Sequence, residues 1–376
     1  MFQAQKRTKV FVALSGGVDS AVAAYLLKRH GYDVHGVFMK NWTGTHANLA
    51  GECQWTRERD DAQAVAHKLG LPFQVWNFER AYRHYVVDDF FKEYARGRTP
   101  NPDIRCNQYV KIPLFLKRAL REGADFIATG HYAIKSKIKN QKSKLSQYTL
   151  LSGVDPLKDQ SYFLYTFTQH QLKHLLFPVG EMTKVQVRRL AKKIRLPVAH
   201  KPDSQGICFI GEVKVVDFLR TRLQEKSGDI VDRQGKILGQ HKGLAFYTLG
   251  QREGLGLAQG PWYVIGRKWR QNKLIVGSLR EQRYLMAKQC SVAKLKWVSG
   301  EPPSLPVNLL VRHRYRHPVF AARLSRRGRK FVINFQKPQR AITPGQSAVF
   351  YRRSRQGLEV VGGGVIEQVE KRGFLW

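Results

Sequence analysis

The first residues that could do chemistry form a glycine-rich turn at 15–20, Ser-Gly-Gly-Val-Asp-Ser, between an apolar strand-like run and a helix-like run. Two glycines let the backbone turn sharply and approach an anion closely. The N-terminus of the following helix would add oriented N–H groups and a partial positive charge. The turn lacks the Gly-Lys-Ser/Thr of a Walker P-loop. It therefore predicts a phosphate-binding loop of another type, with one alternative, an ordinary turn in which Asp19 and Ser20 cap the helix.

Two of the four cysteines stand among residues that could use a thiol. Cys106 follows a run rich in Pro, Asn and Asp, and Arg105 beside it could favour the nucleophilic thiolate. Cys208 lies in an apolar stretch bracketed by glycines. A buried small hydrophobe is the alternative for each of them. Cys53 and Cys290 have no motif around them, and the lack of a Cys-x-x-Cys pair argues against a zinc site, so no metal ligands are expected.

Strand-like and helix-like segments alternate through the first 130 residues. Such alternation predicts a parallel sheet with helices on both faces and ligands at the carboxyl ends of the strands. Ser15–Gly17 and Gly130 both follow predicted strands, which places them at that edge. The prolines of residues 97–107 fix φ and disfavour helix, so this run is predicted to be a rigid loop between two helices. The predicted strands are 10–14, 34–39, 73–78 and 125–129, and the predicted helices are 21–30, 56–69, 80–94 and 109–121.

The pattern changes in the second half of the chain. A lysine-rich surface hairpin is predicted at 135–144, and helical patterning resumes at 169–175 and 184–194. After about residue 211, short segments separated by glycines indicate a small β-rich module, and short β-type runs near the C-terminus indicate a β-barrel. The predicted domains are 1–210, 211–280 and 281–376, and the predicted barrel strands are 307–311, 319–324, 331–335, 347–351 and 359–365.

Charge is the strongest global feature, because 65 Lys and Arg against 28 Asp and Glu give a net charge of +37. It predicts a polyanionic partner, since counterion release drives nucleic-acid binding. A species-wide bias toward basic residues is the alternative. Residues 312–330 concentrate this charge, either as a solvated strand face or as a surface that grips phosphates. No apolar run approaches the roughly 20 residues of a membrane span. Residues 1–9 do not resemble a signal peptide, so a cytoplasmic location without membrane contact is expected.

Six motifs occur in one order along the chain: Ser15–Ser20, Gly97–Asn107, Ala128–Tyr132, Asp155–Leu164, Lys201–Gly211 and Tyr247–Arg252. Together they resemble those of the tRNA-specific 2-thiouridylases (tRNA-uridine 2-sulfurtransferases, the MnmA family). The resemblance covers nearly the whole chain. It implies an α/β fold, in which a parallel-sheet ATP-pyrophosphatase (PP-loop) domain is followed by a small central β-rich module and a C-terminal β-barrel. It also implies ATP-dependent thiolation of carbon 2 of the wobble uridine, position 34, in tRNA.

The resemblance also implies a role for each matching residue. Cys106 would be a nucleophile and Cys208 the persulfide carrier, while Asp103 would manage protonation or orientation of the base. One departure from the family's pattern is Ala21, which stands where many members have a second serine. The residues implied to bind ATP are Ala13, Leu14, Ser15, Gly16, Gly17, Val18, Asp19, Ser20, Met39 and Gly130. Those implied to contact the target base are Asn101, Pro102 and Asp103. Those implied to contact tRNA are Lys158, Asp159, Gln160, Arg314 and Tyr315. The last two would lie on a C-terminal strand with extra basic residues on both sides.

The implied reaction uses ATP with Mg²⁺, a tRNA and a sulfur-donor protein, and the chain is expected to be a monomer. Adenylation turns a poor leaving oxygen into AMP, a persulfide brings the sulfur, and a second thiolate leaves a Cys106–Cys208 disulfide. Two rival functions stay open. One is an ATP-pyrophosphatase that delivers nitrogen, which has no use for two motif cysteines. The other is a basic tRNA-binding module with a vestigial nucleotide loop, which predicts binding without pyrophosphate release.

Overall fold

A computed structural model of the protein describes residues 7–43, 54–139, 146–203 and 214–370. Within these ranges the first part of the chain has strands β1 (Lys9–Ala13), β2 (Asp33–Lys40), β3 (Phe73–Asn77), β4 (Phe126–Ala128), β5 (Ala133–Lys139), β6 (Ser146–Ser152) and β7 (Leu175–Leu176). Five of these strands form a parallel sheet in the order β3-β2-β1-β4-β7. The helices of this part are α1 (Val18–Arg29), α2 (Gln54–Leu69), α3 (Glu79–Tyr82), α4 (Asp88–Ala95), α5 (Pro102–Cys106), α6 (Pro113–Arg121), α7 (Gln169–His174) and α8 (Lys184–Lys193).

β1 lies at the centre of this sheet, and its side chains alternate between two hydrophobic cores. Val10 and Val12 pack in the core that α1, α2 and α8 cover. Phe11 points to the other face, where it packs with Trp76 and with Phe115 of α6. Both faces of the sheet are therefore covered, which explains why β1 is an uninterrupted apolar run. The α/β class with a parallel sheet is confirmed.

The helix predicted at 80–94 is confirmed, because α3, a π-helical turn at Arg83–Val87 and α4 follow one another without a break. One prediction about local structure in this part is wrong. The run at 97–107 was predicted to be loop throughout, yet its second half is α5, which continues through a π-helical turn at 107–111. Proline suits the first position of a helix, where no N–H is needed. Pro102 therefore begins a helix instead of preventing one.

The lysine-rich hairpin is present as the antiparallel pair β5 and β6, and the residues that connect the two strands lie outside the described ranges. β6 has a second neighbour, because Leu151 pairs with Glu359 in the last strand of the chain. The hairpin therefore joins the parallel-sheet part to the C-terminal part rather than standing alone at the surface.

The central module contains α9 (Val215–Arg220) and the strands β8 (Gly228–Val231), β9 (Ile237–His241), β10 (Tyr263–Lys268) and β11 (Lys273–Gly277). Its sheet has the order β10-β11-β8-β9. Phe218 of α9 and Val264 of β10 share one hydrophobic core with Phe90 and Phe91 of α4. The module is therefore packed against the helices that precede Cys106.

The C-terminal part is a barrel whose strands are β12 (Met286–Trp297), β13 (Val307–Arg312), β14 (Phe320–Arg327), β15 (Lys330–Arg340), β16 (Ser347–Ser354) and β17 (Gly357–Glu370). These strands follow the order β12-β15-β14-β13-β16-β17, and pairing of β12 with β17 closes the barrel. The barrel was predicted, but β12 was missed because lysines interrupt its apolar alternation. Within the described residues, no helix is both long and apolar enough to cross a bilayer.

The pair Arg314 and Tyr315 was predicted to lie on a strand, and this prediction is wrong. Both residues lie in the turn between β13 and β14. Arg316 has a φ of +64°, which ends the extended backbone, and Pro318 cannot donate a ladder hydrogen bond. We call residues 313–318 the barrel turn.

Candidate active site

The glycine-rich turn leads from β1 into α1, and its own hydroxyls close it. The Ser20 hydroxyl accepts from Ser15 N at 3.2 Å and donates to Gly17 O at 3.1 Å. Gly17 is the N-cap residue of α1, and no side chain caps the helix there. The alternative of an ordinary capped turn is therefore not what the structure has. The N–H groups of the first turn of α1 remain available to an anion.

The two glycines of the turn differ in their surroundings. Gly16 has a φ of +71°, and a methyl group there would overlap the backbone oxygen of Glu58 in α2. A methyl group on Gly17 would meet only the Ser15 hydroxyl, at 3.4 Å. Gly16 is thus required by the fold, whereas Gly17 leaves space in front of the helix N-terminus.

The turn stands where the strand order of the sheet reverses. β1 has β2 on one side and β4 on the other, and the crevice beyond the carboxyl ends of such strands is where ligands bind in open α/β sheets. Gly130, just after β4, packs against α1, since a side chain there would come within 2.7 Å of Ser20 N. Met39 is near the end of β2. The residues predicted to bind ATP therefore lie together at one edge of the sheet, and ATP contact by each stays a prediction.

Behind the turn, Asp19 is held by two side chains. Tyr132 donates its hydroxyl to Asp19 Oδ1 at 2.7 Å, and Lys184 Nζ lies 2.6 Å from the same oxygen. Lys184 is buried at the start of α8 and also contacts Asp203 Oδ1 at 2.9 Å. Burial together with the Asp19 charge raises the pKa of the Tyr132 hydroxyl far above its usual value, so Tyr132 stays a donor. The turn is thereby linked to α8.

Asp203 is the centre of a cationic cluster. Lys158 Nζ lies 2.5 Å from its Oδ2, and Arg188 and Lys184 contact its Oδ1. Burial would raise the pKa of the Asp203 carboxyl, but the hydrogen bonds from Lys158 and Lys184 hold it well below its usual range. Asp203 is the last described residue of the motif at 201–211, and Cys208 in the same motif lies outside the described residues. Its predicted role is therefore untested.

Cys106 is the last residue of α5, and the helix begins at a capped position. Asn101 Oδ1 accepts from Ile104 N at 3.1 Å, and Pro102 occupies the first helical position. Asp103 and Cys106 are three residues apart and share one face of the helix. Only 2% of Cys106 is exposed, and it belongs to the core between α4 and the central module. This burial agrees with the alternative of a core thiol and equally with a shielded nucleophile.

The basic neighbour of Cys106 has other contacts. Arg105 Nη2 lies 2.8 Å from Asp89 Oδ1, and its guanidinium stacks over the Tyr109 ring at 4.5 Å. Its charge is therefore shared with a carboxylate. The suggestion that Arg105 favours the thiolate stays a prediction.

The residues predicted to contact tRNA come from two separate parts of the chain, and the structure brings them together. The Tyr315 ring packs on Phe163 with centroids 4.3 Å apart, just beyond Lys158–Gln160 in sequence. Arg312 Nη1 lies 2.9 Å from Asp159 Oδ2. Asn107, next to Cys106, donates to Phe163 O at 3.5 Å. The barrel turn, residues 158–163 and the segment that carries Cys106 are thus packed against one another.

Asp159 and Gln160, which were predicted to contact tRNA, already form hydrogen bonds within the protein. Asp159 is 4% exposed, and its Oδ1 accepts from the backbone N–H groups of Gly153 and Ser161. Gln160 accepts from Tyr132 N at 3.0 Å. Arg314 is exposed, whereas Lys158 and Tyr315 are half-buried and Lys158 is paired with Asp203, so we expect direct tRNA contact from Arg314 before the others.

Several residues of the site were missed in the sequence. Tyr132 and Asp203 stand inside two of the six motifs, and the motifs were the signal that could have found them. Lys184 and Arg312 carry no local signal in the sequence. The pairs Lys184–Asp19 and Arg312–Asp159 join residues more than 150 positions apart. Among the described residues, no group of three His, Cys, Asp or Glu side chains is placed to hold a metal ion.

Comparison with known proteins matches the three parts of the chain to three family models. These are the tRNA methyl transferase HUP domain over residues 8–212, the tRNA methyl transferase PRC-barrel domain over 216–278 and the aminomethyltransferase beta-barrel domain over 287–366. The chain is 43% identical over 382 residues to tRNA-specific 2-thiouridylase MnmA 2 of Geobacillus kaustophilus (strain HTA426), covering 100% of this chain and 99% of the relative. It is 45% identical over 376 residues to tRNA-specific 2-thiouridylase MnmA of Hydrogenovibrio crunogenus (strain DSM 25203 / XCL-2), covering 97% and 95%.

The chain belongs to the tRNA-specific 2-thiouridylase MnmA family. The family predicted from the six motifs is thereby confirmed. Among solved structures, this 2-thiouridylase family member is similar to a 4-thiouridine synthetase in complex with RNA and bound ATP, with a TM-score of 0.35 and 16% identity over 57% of this chain and 50% of that one.

Proposed function

We propose that this chain uses ATP to replace the oxygen on carbon 2 of the wobble uridine of tRNA with sulfur, as a tRNA-uridine 2-sulfurtransferase. The observation that carries the proposal is the uncapped N-terminus of α1 behind Gly17, at the point where the strand order reverses. The edge of the sheet that we propose to bind the nucleotide belongs to a chain whose 2-thiouridylase relatives match it over nearly their full length. The proposed domains are 1–210 for ATP binding and catalysis, 211–280 for the central module and 281–376 for the tRNA-binding barrel.

The first proposed step activates the base. Oxygen 2 of the uracil attacks the α-phosphorus of ATP, and pyrophosphate leaves with the electron pair of the broken P–O bond. The N–H groups at the start of α1 would hold the triphosphate. Mg²⁺ bound to the phosphates would offset their charge and would arrive with the nucleotide. Asp103 would orient the base or move its proton, and the base must leave its stack to reach the site.

The second proposed step transfers sulfur. The terminal sulfur of a Cys208 persulfide attacks carbon 2, and AMP leaves. Cys106 thiolate then attacks the Cys208 sulfur, so the S–S bond to the base breaks and 2-thiouridine is released. A Cys106–Cys208 disulfide remains and must be reduced by a dithiol before the next turnover. A sulfur-donor protein restores the persulfide, and we propose that the enzyme acts as a cytoplasmic monomer.

A pyrophosphate assay tests the proposed activation. Unmodified tRNA should stimulate release of equimolar AMP and pyrophosphate from ATP in the presence of a protein persulfide donor, and a tRNA with cytidine at position 34 should not. Binding of tRNA without pyrophosphate release would favour the basic tRNA-binding module instead. Pyrophosphate release that requires an amine rather than the persulfide donor would favour the nitrogen-delivering alternative.

A further inference from the structure

The loop of residues 97–101 is the place where the three parts of the chain meet. It joins α4 to α5, so it directly precedes the helix that carries Asp103 and Cys106. Gly97 is buried with a φ of +71°, and a side chain there would overlap the Trp269 ring of the central module. The loop is therefore packed so closely that its backbone has little room to move.

Arg267 holds this loop from the central module. Its side chain is 6% exposed and donates from Nη2 to Gly97 O at 2.6 Å and from Nη1 to Tyr247 O at 3.0 Å. Burial lowers the pKa of the guanidinium to about 10. No ion pair to Arg267 is found in the part of the chain that the structure describes. Burying a cation without a carboxylate partner costs free energy, and here the hydrogen bonds to the two carbonyl oxygens offset that cost. Arg267 is therefore tied to the backbone at Gly97 and Tyr247.

Gln346 holds the same loop from the barrel. Its Nε2 donates to Thr99 O at 3.0 Å and to Pro100 O at 3.1 Å. Thr99 N donates in turn to Pro344 O at 2.9 Å. Gly345 permits this approach, because a side chain there would come within 2.8 Å of Thr99 O. Two successive peptides of the loop are thereby fixed by the barrel.

We infer that Gln346 and Arg267 are positioning residues that hold the Cys106 helix in its reacting geometry. The inference rests on the function proposed above. The peptides that they bind lead directly into Asn101, whose side chain caps α5. A shift of the loop therefore moves the cap and, with it, the thiol at the other end of the short helix. A reacting group displaced by about 1 Å can lose roughly 100-fold in rate.

The test compares two substitutions of Gln346 with a control elsewhere in the barrel. Gln346→Met removes both hydrogen bonds at similar volume, whereas Gln346→Lys keeps a donor. Gln368→Met is the control, since it removes a barrel hydrogen bond to Lys330 away from the loop. For Gln346→Met we expect kcat for thiolation to fall about 10- to 100-fold with unchanged KM for tRNA and ATP. Gln346→Lys should recover most of kcat, and Gln368→Met should match the unsubstituted enzyme.

Alkylation of Cys106 gives a readout that needs no turnover. The rate at which iodoacetamide labels the Cys106 peptide, followed across pH, should change in Gln346→Met and in Arg267→Met but not in Gln368→Met. An unchanged kcat and an unchanged Cys106 labelling rate in Gln346→Met and Arg267→Met would overturn the inference. So would a raised KM for tRNA at unchanged kcat, because Gln346 would then be a tRNA contact. If the labelling rate of Cys106 changes as expected in the variants but the unsubstituted protein makes no thiouridine, the proposed function is refuted. The positioning role of Gln346 and Arg267 would still stand.

Discussion

At the residue scale, the two glycines of the turn at 15–20 are predicted to have different roles, Gly16 in folding and Gly17 in nucleotide binding. Gly17 has space beside it but stands at the N-terminus of α1. We expect Gly17→Val to fill that space and weaken ATP binding at least about 10-fold, or roughly 1.4 kcal/mol, with little change in thermal unfolding. Calorimetric titration with ATP and a melting curve measure the two effects.

Gly16→Val is the matched control for this prediction. Because its side chain would overlap the Glu58 backbone at a positive φ, we expect it to lower the melting temperature. Wild-type ATP affinity in Gly17→Val would show that the turn does not bind phosphates.

The two motif cysteines are predicted to have different roles. Cys208→Ser should still bind ATP and tRNA but make no thiouridine from a protein persulfide donor. Cys106→Ser should accept sulfur on Cys208 and then stop, because no thiolate resolves the S–S bond. Mass spectrometry of each donor-treated variant measures the gain of one sulfur atom. Sulfur on Cys106 in the Cys208→Ser protein, with thiolation continuing, would mean that the roles are reversed.

At the scale of elements, Asp203 connects residues 155–160 with α8 through its three cationic partners. Its carboxyl has a lowered pKa in the folded protein, so its stabilising effect is present above the usual value of about 4 and is lost as pH falls through the lower folded value. We expect Asp203→Asn to lower the melting temperature at pH 7. The difference from the unsubstituted protein should shrink as pH falls below about 4.

Melting temperatures of both proteins between about pH 3 and 7 test this. Asp217→Asn is a suitable control, because that carboxylate pairs with Arg220 on an exposed helix of the central module and resembles an ordinary surface ion pair. A pH-independent difference between Asp203→Asn and the unsubstituted protein would show that the charge of Asp203 does not stabilise the fold.

The elements that the sequence predicted well are those whose pattern depends on local burial. β1 to β4 and five of the six barrel strands have apolar runs or alternation, and these determine strand type without knowledge of partners. The Cys106 helix was missed because proline was taken to forbid a helix that it in fact begins. The family resemblance placed Arg314 and Tyr315 on a strand, although the predicted strands end at 311 and begin again at 319, and the backbone turns between them.

The site was predictable only in part, for a different reason. The turn at 15–20 is contiguous in sequence, so phosphate binding could be predicted from neighbouring residue types, whereas the separate roles of Cys106 and Cys208 came from the family resemblance. The pairs Asp19–Lys184, Asp159–Arg312 and Gly97–Arg267 join distant segments. Such pairs depend on how whole elements pack, which a single sequence does not display.

At the scale of the whole molecule, the net charge of +37 predicts strongly salt-dependent tRNA binding. The logarithm of affinity should fall with the logarithm of salt concentration by roughly 0.7 to 0.9 per phosphate contacted. Arg314 and Arg316 are exposed on the barrel turn, which packs near the Cys106 helix. Replacing both with Ala should weaken binding and flatten this slope.

Arg327 and Arg329 provide the control, since they are exposed near the opposite end of β14. Their replacement by Ala removes the same charge and should change the slope less. Filter binding of tRNA at several salt concentrations gives all three slopes. A salt-insensitive affinity would assign the charge to general composition rather than to tRNA.

The most direct test of the account is the nucleoside content of tRNA after reaction. Unmodified tRNA with uridine at position 34 is incubated with the protein, ATP, Mg²⁺ and a protein persulfide donor, then digested and examined by mass spectrometry. We expect 2-thiouridine at position 34, dependent on ATP and reduced with Gly17→Val at an ATP concentration below saturation. Uridine unchanged under these conditions, with tRNA bound and ATP consumed, would contradict the account.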